Sequence, residues 1–287
     1  ANPFRGLIGS GPLAGATVTR SRLLRPYPQY DQITEVFATR GASRYHSMQA
    51  KLERRFRRGV MLLSSYTWSK QMQNFERSGD APQNNYDLRS EWAVSNTDRT
   101  HRFTSGWVVE LPFGRGRLLG ANSRGILGAL ISNWQVNGST TVESGEPLSF
   151  SATPNTTNAL GGGQRPNSTG VSAERSGYTS TDDMLGRYFD TAQFTRAEPF
   201  RFGNLGRRIG DVRGFPFRNL DLAAQWQVKV RERYSIQFRA EAFNAINRAD
   251  FSNPNTSLGS TAFGTVTSVK QEANPARQVQ LSLRFLF

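Results

Sequence analysis

Hydrophobic and polar residues alternate one by one along the last stretch of the chain, residues 278–287. The hydrophobic positions are Val279, Leu281, Leu283, Phe285 and Phe287, and Leu286 alone breaks the alternation. Successive side chains of a β-strand point to opposite faces, so this pattern predicts a strand with one apolar and one polar face. A stretch of about ten residues is also long enough for a tilted strand to cross the hydrocarbon core of a bilayer.

Six earlier segments show the same alternation. They cover residues 45–56, 60–69, 101–111, 133–144, 220–230 and 234–242. In the last of these, Ile236, Phe238 and Ala240 alternate with Gln237 and Arg239. Strands that follow one another along a chain are usually neighbours in the sheet. The sequence therefore predicts an all-β fold, an antiparallel meander of about seven long strands.

The connections between these strands differ in length in a regular way. Short turns follow the first, third and fifth strands, and long polar loops follow the second, fourth and sixth. The long loops cover residues 71–100, 145–218 and 247–276. Residues 1–42, rich in Gly, Pro and Arg, are predicted to form a further loop, and residues 43–287 to hold the strands and their loops. Residues 127–131 indicate a short helical turn, and residues 263–269 are a candidate for an extra strand. Short turns at one end and long loops at the other are typical of a transmembrane β-barrel.

Composition narrows the class of protein. The chain has 287 residues, of which 37% are hydrophobic. No run approaches the roughly 18 apolar residues of a membrane-spanning helix, so the protein is either soluble or crosses a membrane with strands. The absence of cysteine excludes disulfides and thiolate metal sites. Because the chain starts at Ala1 without an apolar leader, an exported barrel would need a preceding segment, and the chain is then expected to be a fragment.

Several short motifs resemble one family of membrane proteins. They are residues 45–49 (YHSMQ), 65–70 (SYTWSK), 98–103 (DRTHRF), 110–114 (ELPFG) and 238–244 (FRAEAFN). These motifs are similar, in the same order, to the C-terminal barrel of TonB-dependent receptors. The closest subgroup is the Oar-like one, which carries a carboxypeptidase-regulatory-like domain at its N-terminus. The resemblance covers nearly the whole chain.

The resemblance implies a location and a function. In that family an outer-membrane barrel of about 22 strands encloses a plug domain, and contact with TonB supplies the energy for uptake. The chain would be the C-terminal segment of the barrel, with the plug and the N-terminal strands absent. Its external loops would contact an unknown extracellular ligand. The implied partners are outer-membrane lipid, the barrel-assembly machinery, and TonB acting through the absent plug.

The family also implies an assembly signal at the end of the chain. There the barrel-assembly machinery recognises a last strand that alternates and ends in phenylalanine. The resemblance assigns this role to Phe287, together with Phe285, Leu283, Leu281 and Val279.

Basic and aromatic residues are distributed as a membrane interface requires. The formal net charge of +14 raises nucleic acid as a partner. The arginines lie instead at the predicted short turns, on the periplasmic side of a barrel, where they either attract anionic headgroups or are simply solvated. They are Arg54, Arg55, Arg57, Arg58, Arg115, Arg117, Arg231 and Arg233. No nucleic-acid partner is therefore expected. The aromatic residues expected at the membrane interface, near strand ends on the apolar faces, are Tyr66, Trp68, Trp107 and Tyr234.

Two groups of polar residues are candidates for chemistry. Asp98 and His101 could form an acid–base pair, but no nucleophile motif accompanies them. Four acidic residues could bind calcium, although they lack the alternating spacing of a known calcium motif. They are Asp182, Asp183, Asp190 and Asp211. We expect that the protein is not an enzyme and has no catalytic residue, cofactor or metal site.

Two other functions remain as alternatives. A soluble all-β module could bind glycans or polyanions through a basic surface bearing Tyr and Trp, with the same apolar residues as its core. Solubility without detergent would identify it. An outer-membrane enzyme using Asp98 and His101 would lose its activity on His101→Ala.

Overall fold

Seven long β-strands dominate the computed structural model, which describes residues 1–34, 39–76, 80–159, 162–230, 234–270 and 276–287. They are β1 (Ser43–Arg57), β2 (Val60–Gln73), β3 (His101–Glu110), β4 (Trp134–Glu143), β5 (Phe217–Lys229), β6 (Ser235–Phe243) and β7 (Gln278–Leu286). Each strand overlaps one segment of alternating residues. The predicted all-β fold is confirmed.

The seven strands form one antiparallel meander. Each strand pairs with its neighbours in sequence, in the order β1-β2-β3-β4-β5-β6-β7, and the two-residue strand Ala93–Val94 adds to β2. The register is continuous within β6, where Phe238 lies opposite Trp226 of β5 and Leu283 of β7. Only β1 has an irregularity among these pairings, a shift between Arg54 and Arg57. The predicted meander is therefore confirmed.

Residues of all seven strands combine into a single apolar face. Directly paired residues of an antiparallel sheet lie on the same face. One row of such pairs crosses six strands and is apolar throughout: Val60, Val109, Val136, Ala224, Ala240 and Leu281. A neighbouring row on the opposite face is polar throughout: Glu110, Gln135, Gln225, Arg239 and Ser282. The strict period of two carries this sidedness from strand to strand.

The apolar face is not the core of a sandwich. Leu281, Leu283 and Phe285 expose 66, 56 and 67% of their surface. The remaining sheets of the described residues have two short strands each and belong to the long loops. An apolar surface of this extent is characteristic of contact with a membrane or a partner.

The sheet is an open wall. Within the described residues, β1 pairs only with β2, and β7 pairs only with β6. Unpaired backbone groups at such an edge cannot be left inside lipid. In a membrane both edges need further strands as partners.

One end of the sheet, which we call the short-connection end, holds the β1–β2, β3–β4 and β5–β6 connections. The β1–β2 turn is tight, with positive φ angles of 52° at Arg58 and 76° at Gly59. Two-residue hairpin turns with positive φ at both residues match the right-handed twist of the strands that they join. The β3–β4 connection is not the short turn predicted from sequence, because residues 111–133 fold into an ordered segment. It contains the helix α2 (Gly125–Ile131), close to the predicted helical turn. An earlier helix, α1, covers only Arg20–Leu23.

The described parts of the three long connections are ordered rather than structureless. We call them the first loop (residues 74–100), the second loop (residues 144–216) and the third loop (residues 244–277), and together they form the loop layer. The second loop contains the helix α3 (Thr181–Gly186). The short elements of the layer are the 3₁₀ turns Arg89–Glu91 and Thr191–Gln193 and the strands Ser151–Ala152, Asn167–Ser168, Phe194–Thr195 and Ser257–Leu258.

The loop layer has its own hydrophobic core. Phe150, Phe189 and Phe194 of the second loop pack together, with Phe150 and Phe194 stacked 4.4 Å apart between ring centroids. Phe263 of the third loop closes this cluster, 5.2 Å from Phe189. The prediction of an extra strand at residues 263–269 is wrong, because this segment forms only an isolated bridge, between Val269 and Phe251. These aromatic residues are scattered along the chain without a period, which is why alternation did not reveal the core.

Candidate functional site

The loop layer is joined by buried ion pairs between the first and second loops. Glu91 exposes 2% of its side chain and pairs with Arg165, which is also buried. The same carboxylate accepts a hydrogen bond from the backbone N–H of Gln83 at 3.0 Å, and the Arg165 guanidinium donates to the carbonyl of Ser90 at 3.3 Å. Burial lowers the pKa of Arg165, while the charge of Glu91 opposes that shift. The two charges depend on each other in this low-dielectric site.

A second group of arginines extends this contact. Arg207 Nη2 lies 2.5 Å from Asp80 Oδ2, and Arg208 pairs with Glu76. Closer to the sheet, Arg213 Nη2 contacts Asp98 Oδ2 at 2.7 Å. In these four pairs the acidic partner comes from the first loop and the arginine from the second, so the pairs hold the two loops in one arrangement.

The third loop is attached to the second loop through hydrogen bonds of the backbone and of side chains. Strand Ser257–Leu258 pairs in parallel with Ser151–Ala152 of the second loop. The N–H of Val266 donates to the carbonyl of Leu185 at 2.8 Å, and Asn253 Nδ2 donates to Glu146 Oε1 at 2.5 Å. The three loops thus form a single ordered surface at the end of the sheet opposite the short connections.

Asp98 and His101 have separate partners. The other oxygen of Asp98 accepts from the N–H of Gln71 at 2.7 Å, so both oxygens have partners. His101 Nδ1 is hydrogen-bonded to the Tyr66 hydroxyl at 2.7 Å, and the two rings stack. The geometry gives these residues structural contacts at the start of β3.

Three of the four acidic residues considered for calcium are held by neighbours in the second loop. Asp183 pairs with Arg175 at 2.8 Å, and Asp190 pairs with Arg187 at 2.6 Å. Asp211 accepts from the Ser172 hydroxyl at 2.8 Å. Hydrogen bonds from Thr179 and Arg175 hold the pKa of Asp183 below its usual range, and those from Gln193 and Arg187 do the same for Asp190. Within the described ranges, no three His, Cys, Asp or Glu residues are grouped as a metal site, Asp182 included.

The predicted interface aromatics lie on the apolar face. Tyr66 and Trp68 are paired with Ala50 and Met48 of β1. Trp107 of β3 lies across Gly138, where a Cβ atom would come within 2.6 Å of the indole ring. Tyr234, just before β6, is exposed. Their role at a membrane interface stays a prediction.

Two further tryptophans of the apolar face were not predicted as interface residues from the sequence. Trp134 and Trp226 are directly paired, and their ring centroids lie 6.5 Å apart. The indole N–H of Trp226 donates to the carbonyl of Ala129 at 3.0 Å, and that of Trp134 donates to the carbonyl of Leu130 at 2.8 Å. Both acceptors belong to α2. Their position in alternating strands signalled the face, but nothing in the sequence signalled this contact with the helix.

The predicted basic residues lie at the short-connection end where they are described. Arg54, Arg55, Arg57 and Arg58 surround the β1–β2 turn and are exposed. Arg115 is exposed, and Arg117 pairs with Glu110 at 2.8 Å. Arg231 and Arg233 lie outside the described residues.

The apolar residues of the last strand are exposed on the apolar face. Phe287 follows the last residue of β7 and exposes 94% of its surface. The assembly role of this residue, and of Val279, Leu281, Leu283 and Phe285, stays a prediction.

Three comparisons bear on the family. The sequence model of the family described as "Outer membrane beta barrel domain" matches residues 2–280. Comparisons with curated proteins and with solved structures gave no match. No helix of the described residues has the length and hydrophobicity needed to cross a membrane. The family match agrees with the exposed apolar face and does not support a soluble binding module.

Proposed function

This chain belongs to the outer membrane beta barrel domain family. We propose that it is part of a TonB-dependent receptor of the Oar-like type in the outer membrane. In this proposal residues 1–287 are the C-terminal part of the barrel, and a plug domain and further strands come from a preceding segment. The chain contributes ligand recognition and uptake and is not an enzyme. The supporting sequence features are the five motifs that resemble that family.

One structural observation carries the recognition part of the proposal. In the described parts of the three loops, a hydrophobic core joins the second loop to the third and buried ion pairs join the first loop to the second, so the loops form a preorganised surface. Preorganised loops lose less conformational entropy on binding a ligand than mobile ones. In our proposal this surface faces outward and contacts the ligand, while the polar face of the sheet lines a wet interior.

A binding experiment tests the TonB part of the proposal. Outer-membrane fractions containing the full-length protein are passed over the immobilised periplasmic domain of TonB. We expect retention of the folded, heat-modifiable protein, because the coupling segment lies in the part that precedes this chain. A variant lacking only the coupling segment should keep the heat-modifiable barrel and should lose retention. Failure of the full-length protein to bind TonB would reject TonB dependence and leave the outer-membrane barrel unaffected.

The end of the chain provides a second test. Deleting Phe287 should lower the amount of folded protein in the outer membrane much more than Leu283→Ala does. Loss of one exposed apolar side chain from lipid costs only a few kcal/mol, whereas loss of a recognition signal would stop assembly. The measurement is heat-modifiable protein in outer-membrane fractions together with the amount left in the periplasm. Equal levels for the two variants would show that Phe287 is an ordinary lipid-facing residue.

A further inference from the structure

The β3–β4 connection carries an apolar surface that neither the sheet nor the loop layer covers. Ile126 and Leu127 of α2 expose 82 and 66% of their surface, and Leu118 exposes 85%. Leu119 and Leu130 are exposed as well. All seven residues of α2 are apolar or glycine. A solvated helix would instead carry polar residues on the side that faces water.

This helix is fixed to the apolar face of the sheet. The indole N–H groups of Trp134 and Trp226 donate to its carbonyls, as described above. Both tryptophans lie in the row that continues through Phe238 to Leu283. The helix is therefore continuous with the face that the family places in the membrane.

The fold of the connection holds the helix there. The N–H of Gly114 donates to the carbonyl of Leu119 at 2.8 Å, and that of Leu119 donates to Pro112 at 2.9 Å. Gly114 has a φ of 104°, and a Cβ atom on it would lie 2.1 Å from the Ser132 hydroxyl oxygen. Only glycine fits this close approach between the two ends of the connection. The apolar surface is therefore presented by a fixed scaffold.

Positive charge borders the apolar surface. Arg115 precedes the exposed leucines, and Arg124 immediately precedes α2. Within the described residues neither guanidinium has a carboxylate within ion-pair distance, in contrast to Arg117, which pairs with Glu110. Between the helix and the start of the connection lies an apolar groove of about 390 Å³, lined by Leu111, Phe113, Leu119, Leu130, Ile131 and Trp134. Apolar surface flanked by arginine is the composition of an in-plane membrane anchor.

We propose that residues 111–133 form an in-plane anchor that inserts into the leaflet at the short-connection end, with phospholipid as its occupant. The side chains of Leu118, Ile126 and Leu127 enter the acyl region, an acyl chain occupies the groove, and Arg115 and Arg124 contact anionic headgroups. Tryptophans that donate hydrogen bonds at the edge of the hydrocarbon suit this depth. The proposal rests on the membrane placement of the sheet and does not depend on TonB.

Site-directed spin labelling tests the anchor, and this chain has no cysteine of its own that would compete for the label. A nitroxide is attached to Ile126→Cys in the full-length protein, reconstituted in phosphatidylethanolamine vesicles with phosphatidylglycerol. Leu283→Cys on the apolar face serves as the lipid control, and Tyr86→Cys, at a 95% exposed position of the first loop, serves as the aqueous control. Collision rates with oxygen and with a water-soluble nickel chelate are then measured.

We expect the Ile126 label to behave like the Leu283 label, with a several-fold lower nickel accessibility than the Tyr86 label. A label at Ile126 that resembles the aqueous control overturns the proposal. So does a label shielded from both reagents, because a protein partner would then cover the helix. A Leu283 label in water would instead indicate failed insertion of the sheet.

A second arm tests the headgroup contact. Removing phosphatidylglycerol, or changing both arginines in Arg115→Gln/Arg124→Gln, should move the Ile126 label toward the aqueous phase and leave the Leu283 label unchanged. A label depth that is independent of both changes would remove the anionic headgroup from the proposal.

Discussion

Glu91→Ala is expected to disorder the loop layer by leaving the Arg165 guanidinium buried without its partner. Both side chains are almost fully buried, and breaking such a pair from one side costs about 3 to 5 kcal/mol. The loss should be local, because the sheet has its own strand pairing and no part in this contact. We expect rapid protease cleavage in the second loop while the heat-modifiable barrel remains.

The chain offers a matched control for this prediction. Asp87 and Arg89 form an ion pair in the same loop, but Arg89 is exposed and Asp87 is only partly buried. Asp87→Ala should therefore leave protease resistance unchanged, since exposed pairs contribute little. The double variant Glu91→Ala/Arg165→Met should recover part of the resistance, because it removes the unpaired buried charge. If Glu91→Ala and Asp87→Ala have equal cleavage rates, the buried pair does not hold the loops together.

The second large effect is expected on the sheet. Phe238→Arg should reduce the folding yield of the full-length protein severely, whereas Gln237→Arg should be tolerated. Phe238 lies between Trp226 and Leu283 on the apolar face, and Gln237 lies between Gln227 and Arg284 on the polar face. An arginine facing the middle of the hydrocarbon costs about 2 to 4 kcal/mol, whereas one facing a wet interior costs little.

Folding yield in this comparison is read from the heat-modifiable band after refolding into vesicles. The two variants introduce the same side chain at adjacent positions of one strand, so the added charge and its place along the strand are matched. Equal yields would mean that the two faces have the same environment, and the assignment of the apolar face to lipid would have to be abandoned.

The two predictions describe a division within the molecule. The sheet is stabilised by what surrounds it, because in the part of the chain that the structure describes only the short helix α2 lies against its apolar face. The loop layer is stabilised by its own core and ion pairs. The loop layer can therefore vary in sequence without changing the sheet.

The sequence by itself determined the wall. Alternation with period two predicts each strand, and residues such as Val109, Val136 and Ala224 can be assigned to one face without knowing their partners. Strands that follow one another along the chain are usually neighbours in the sheet, which then favours a meander. Local pattern was sufficient here because a strand in this sheet repeats one environment along its whole length.

Only the tertiary structure decided which residues of the loops contact one another and where α2 lies. Glu91 and Arg165 are 74 residues apart, and the core joins Phe150 to Phe263 across β5 and β6. Contacts at such separation depend on how the strands bring the loop ends together, and no local period records them. The same is true of α2: its apolar residues suggested a short helix, but its place against Trp134 and Trp226 follows from the pairing of β4 with β5, which brings the two indole N–H groups side by side.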